Sequence, residues 1–166
     1  MPAALVLLLI AVTAAAAIAD LRSGSIPNSI PYLGAIAGVA VNFALAGADA
    51  GAMSLVGLFA ALVPAALVMN GGDAKLLGAV GAICGWPALL GPTAFAFAVA
   101  GAWALVLGAL HGRRLLARLP GLAIEAARGK LPDDDPAGPR VPVAAAVMIG
   151  AMLHRLTVEL VPDFAF

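Results

Sequence analysis

Apolar residues run along this chain in blocks of about twenty, separated by short clusters of charge, glycine and proline. Uncharged stretches cover residues 2–19, 30–48 and 50–69, and each meets the roughly 20 mostly apolar residues that a membrane-spanning helix needs. Residues 76–110 carry no charge over 35 positions, which is too long for one helix. The segment "GWPALLGP" (Gly85 to Pro92) supplies a break there and leaves two spans, the first of them short. A sixth span starts near Val141, where His154 and Arg155 must face protein or snorkel to an interface. The pattern predicts an all-α, polytopic membrane protein of about six transmembrane helices. Its many small residues permit close helix packing.

Composition supports that solvent assignment. The 166 residues are 63% hydrophobic and 11% charged, with mean hydropathy +1.07, far from the roughly 25% charged of a soluble domain. Net charge is zero, so nothing points to nucleic acid. The lone cysteine, Cys84, excludes a disulfide framework and a thiolate metal site, and His111 and His154 have no third ligand nearby in sequence. Neither metal nor cofactor is expected. The stretch before Asp20 resembles a small-residue cleavage site, but it has no basic n-region, so the first helix is expected to remain.

Basic residues orient the bundle. Arg22, Lys75, Arg113, Arg114, Arg118, Arg128, Lys130 and Arg140 all fall in the first, third and fifth loops of a six-span chain. By the positive-inside rule those loops are cytoplasmic and both termini lie outside. Residues 112–140 are expected to be a solvated cytoplasmic connector within a single domain of residues 1–166. The leucines and arginines at its start can form interfacial helical turns broken at Pro120 and Gly121, with "LPDDDPAGPR" as linker.

Two acids stand at cytoplasmic ends of apolar helices: Asp20, closing the first, and Asp73, opening the fourth in "MNGGDAKLLGAVG". Each has a structural explanation, Asp73 as an N-cap and Asp20 as an interface marker paired with Arg22. Together they fit a different role. Two neighbouring carboxyls can hold a water between them, one ionised as general base and one protonated as general acid, because like charges at close range do not both ionise cheaply. Gly71 and Gly72, without side chains, leave room for a peptide beside Asp73.

The segment "DLRSGSIPN" (Asp20 to Asn28), taken with "GGDAKL" (Gly71 to Leu76), resembles the type IV prepilin peptidases, membrane aspartic proteases of the GxGD kind. The resemblance implies a catalytic pair at Asp20 and Asp73, and a GxGD-type aspartic protease bundle in the bacterial inner membrane with its active site facing the cytoplasm. The implied substrate is a prepilin or pseudopilin, cut just before an apolar helix so that its short basic leader is released. Asn70 stands where the family has its first motif glycine, and "VPVAAA" (Val141 to Ala146) stands where members often have Pro-Tyr-Gly. The Cys-x-x-Cys pairs of the long bifunctional members are missing. The chain therefore looks like the short form of tight-adherence (Flp) pilus systems, without methyltransferase activity.

Around the acids, Arg22 and Lys75 are candidates for orienting substrate or tuning the carboxyls, while Ile26, Pro27 and Asn28 shape the turn between the first two helices. The helix macrodipole favours an ionised Asp73 at an N-terminus and a protonated Asp20 at a C-terminus. Two other classes compete with the protease reading: a small transporter with interfacial carboxylates, and an inactive scaffold of pilus assembly.

Overall fold

The computed structural model describes residues 1–69, 71–127 and 142–160, leaving aside the side chains of residues 68 and 111–127. Asn70, the "LPDDDPAGPR" linker and Val141 lie outside the described residues. The described chain is all-helical: α1 (Ala3–Ser23), α2 (Ser29–Val68), α3 (Gly71–Cys84), α4 (Leu90–Ala127) and α5 (Val143–Leu160). Four stretches, Ala3–Ser23, Ser29–Leu67, Leu90–Leu110 and Val143–Leu160, are long and apolar enough to cross a membrane. The molecule is thus a multi-pass membrane protein.

The six segments read from the sequence differ from these four stretches for two reasons. First, α2 is 40 residues long but turns at Gly47, whose φ of 83° and ψ of −171° no helix accommodates and a side chain rarely adopts. Packing shows the result: Gly34 and Gly38 of the first half lie against Ala79 and Ile83, whereas Gly57 and Leu62 of the second lie against Gly81 and Gly78. The first half therefore runs parallel to α3 and the second antiparallel, which makes α2 a helical hairpin. Second, α3 has 14 residues, about 21 Å of helix, short of the roughly 30 Å hydrocarbon core. It ends where expected, at Gly85, followed by a turn through Leu89.

The core forms around α3. Between Ala74 and Ile83 every residue except Lys75 is buried, against Leu9, Val12, Ala16 and Ala17 of α1, Ala61 and Ala65 of α2, and Ala144 and Val147 of α5. At the crossing of α2 and α3, a Cβ on Gly81 would meet the Gly57 carbonyl group, its carbon 2.7 Å away, so the two backbones are in direct contact.

Ending a helix inside this packing leaves carbonyls to satisfy. The Gly81 carbonyl accepts from Gly85 N–H at 2.8 Å. Ala82 loses its helical donor because Trp86 N–H turns to Met53 O (3.0 Å), and Ile83 loses its own because Pro87 has no N–H. Side chains of α2 take their place. Asn42 Nδ2 donates to Ala82 O (3.2 Å) and Ile83 O (3.1 Å) as well as to Gly38 O in its own helix, and the buried Ser54 hydroxyl donates to Ala82 O.

Residues 101–141 form a compact unit of their own, whose described part is helical to Ala127. The helical turns expected at the start of 112–140 run on without the expected break, since helix continues through Pro120 and Gly121 to Ala127. A proline removes only one N–H, and the Leu, Ala, Arg and Glu residues on either side are strong helix formers.

Candidate active site

Asp20 lies in the last turn of α1, one turn before its end, and is half-buried. The helix closes at Gly24, which takes the left-handed conformation (φ 64°) and donates its N–H to Asp20 O at 2.8 Å. Ser23 Oγ donates to Ala19 O at 2.8 Å, so the end of α1 is well satisfied and the Asp20 side chain is not needed as a cap. Arg22 is exposed in the same last turn, where a cation complements the helix end. Among the described residues the only ion pair within 4.0 Å is Arg155–Glu159, so Asp20 and Arg22 are not paired in that way.

Asp73 is the third residue of α3, inside the first turn and not at the cap position. Burial raises its carboxyl from 3.8 to about 6, and the negative charge of Asp20 adds to the effect. The two acids are therefore electrostatic neighbours, although one closes α1 and the other opens α3. The direction reverses the expectation drawn from the macrodipole. A helix N-terminus favours an ionised Asp73, but desolvation and a like charge outweigh it, so Asp73 keeps its proton up to about pH 6.

The residues around the acids divide by location. A Cβ on Gly71 would meet nothing within 4 Å, so open space lies beside the start of α3. Gly72 faces Ile26, whose Cβ would lie 3.6 Å from a side chain there. Lys75 donates through Nζ to Asn28 Oδ1 at 2.8 Å and lies 5.5 Å from the ring centroid of Tyr32. Pro27 is exposed between these two contacts. Lys75 thus engages the turn after α1, and not a carboxylate among the described residues.

Three participants escaped the sequence reading. Tyr32, the one tyrosine of the chain, sits one helical turn after Asn28 and completes the seat of the Lys75 ammonium. Asn42 and Ser54 hold the far end of the helix that carries Asp73. For Asn42 a signal existed, since an amide in the uncharged run 30–48 requires a partner in the membrane. No metal-binding cluster of His, Cys, Asp and Glu occurs among the described residues.

Comparison with protein families gives a match to the type IV leader peptidase family over residues 7–110. Neither a curated protein nor a solved structure matches the chain. The matched stretch is most of the chain and runs from within α1 to the first part of α4, including both acids and the segments that approach each other around them. This helical membrane protein belongs to the type IV leader peptidase family and is, with that family, a peptidase.

Proposed function

We propose that this protein is a membrane aspartic endopeptidase that removes the short cytoplasmic leader from a type IV or Flp-type prepilin, just before the precursor's apolar helix. The observation that carries the reading is the coupling of Asp20 to Asp73, with Asp73 held as a proton holder to about pH 6. Water bound between the two carboxyls gives a proton to ionised Asp20 as its oxygen attacks the scissile carbonyl carbon. Asp73 passes its proton to the carbonyl oxygen, which forms a neutral tetrahedral diol. Breakdown returns a proton from Asp20 to the departing amine nitrogen and one from a diol hydroxyl to Asp73, restoring the starting state. The open space beside Gly71 accommodates an extended substrate.

The enzyme works in the bacterial inner membrane with this site towards the cytoplasm, the side to which the positive-inside rule assigns Arg22 and Lys75. The test is cleavage of a co-expressed prepilin, followed as a mobility shift, for wild type, Asp20→Ala and Asp73→Ala. Complete loss in both inserted variants is expected. Persistent cleavage in either would remove the paired-acid chemistry, and uptake of a solute that depends on Asp20 would favour a transporter.

A further inference from the structure

We infer that the Ile26–Pro27–Asn28 segment is a two-point clamp on the first turn of α3, with Lys75 as the positioning residue that fixes Asp73 relative to Asp20. Residues 26 and 28 bracket Asp73. Ile26 packs on Gly72, on one side of Asp73 in sequence, and Asn28 accepts the Lys75 hydrogen bond on the other. Pro27, between the two contacts, has its φ fixed and so limits their relative movement. The two anchors differ in kind. Ile26 is partly buried against the core cluster, whereas the Lys75–Asn28 bond is exposed.

The clamp joins, beside the acids, two helices whose apolar faces already share the core. Asp20 belongs to α1, which ends at Ser23, and Asp73 to α3, which starts 47 residues beyond Gly24 at Gly71. Contacts between the turn and α3 add a second constraint, next to the two carboxyls, to the packing of α1 on α3. The Lys75 ammonium supplies one such contact through a charge-assisted hydrogen bond, and Tyr32 holds the cation from the start of α2. This arrangement gives the lysine a role within the protein, since one of its three N–H donors is engaged by Asn28.

The inference rests on the endopeptidase reading. Its test is steady-state cleavage of a purified prepilin by detergent-solubilised full-length enzyme. The variants are Lys75→Met, Asn28→Leu, the double variant Lys75→Met/Asn28→Leu, and Lys75→Arg, beside Asp20→Ala and Asp73→Ala. A misplacement of about 1 Å costs on the order of 100-fold, so Lys75→Met and Asn28→Leu are expected to lower kcat by about 10- to 100-fold with KM little changed. The double variant should be no worse than the poorer single one, because both remove the same bond. Lys75→Arg, which keeps the cation and a donor, should recover to within about threefold of wild type.

Wild-type kcat in Lys75→Met would overturn the clamp while leaving the endopeptidase reading intact. A loss confined to KM would instead make Lys75 a substrate contact, and losses that multiply in the double variant would make the two residues independent. Either outcome overturns the clamp. Lys75→Arg as impaired as Lys75→Met, with both folded, also overturns it. Cleavage surviving Asp20→Ala or Asp73→Ala would overturn the endopeptidase reading and the clamp with it.

Discussion

Replacing Asn42 with alanine tests whether polar side chains of α2 hold the buried end of α3. In the native protein the Asn42 amide serves two carbonyls, Ala82 O and Ile83 O, while Ser54 serves Ala82 O alone. Asn42→Ala leaves Ala82 O with its hydroxyl donor but strips Ile83 O of the only side-chain donor described for it. A buried acceptor left without a partner costs about 1–3 kcal/mol, and hydrogen bonds between membrane helices are worth about 0.6 kcal/mol on average. The expected destabilisation is therefore about 1–3 kcal/mol for Asn42→Ala, and about 0.5–1 kcal/mol for Ser54→Ala, after which Ala82 O keeps the amide. The double variant orphans both carbonyls. Its cost should exceed the sum of the singles, because each single change leaves Ala82 O one donor. Equilibrium unfolding in mixed dodecylmaltoside and SDS micelles, followed by circular dichroism, measures all three. Asn42→Ala as stable as wild type, or a double variant that is merely additive, would refute the carbonyl accounting.

Two further outcomes follow from α3. The Asp73 carboxyl, raised from 3.8 to about 6, binds its proton more tightly in the folded protein than in the unfolded one. Its contribution to stability is fully present below about pH 4 and is lost as pH rises through about 6. Asp73→Asn should accordingly gain on wild type in unfolding titrations above pH 6 and show no such gain at pH 4. A gain of equal size at both pH values would show that the raised carboxyl is not its source. In the same assay, Gly81→Ala should cost about 1–3 kcal/mol, since its Cβ runs into the Gly57 backbone, which cannot swing away as a side chain does. Gly71→Ala, with nothing within 4 Å, should cost nothing and gain from the better helix propensity of alanine. Equal effects at the two glycines would contradict the packing.

The sequence made the apolar segments legible because length and charge decide membrane insertion almost locally. The break at Gly85–Pro92 carries its own chemistry and could be read directly. At the α2 hairpin the uncharged runs divided at Asp49, two residues beyond the turn at Gly47, since charge marks a boundary less sharply than a left-handed backbone does. Both acids stood out for the same local reason, being charges beside apolar runs. The raised Asp73 carboxyl did not. It depends on how deeply Asp73 is buried and on the presence of Asp20, neither of which is encoded at position 73, so the local macrodipole argument pointed the wrong way. The α4 extension was missed because Pro120 and Gly121 were weighed above the helix formers around them. Tyr32 was missed because a cation seat exists only once α3 meets the start of α2.

These contacts separate the tasks of a short helix. Its flank is set by the backbone approach of Gly81 to Gly57, and its far end by Asn42 and Ser54. Ten residues separate Asp73 from Ile83, about 15 Å along the axis, so loosening the far end acts on the acid only through the whole helix. Loosening the turn at Ile26–Asn28 acts on the residues next to the acid. Substitutions at the far end and flank should hence be seen first in unfolding, and those at Lys75 and Asn28 first in kcat, with Asp20 and Asp73 abolishing cleavage outright. A far-end variant that lost kcat while keeping its stability would mean that α3 transmits strain along its length, and the division of labour would have to be abandoned.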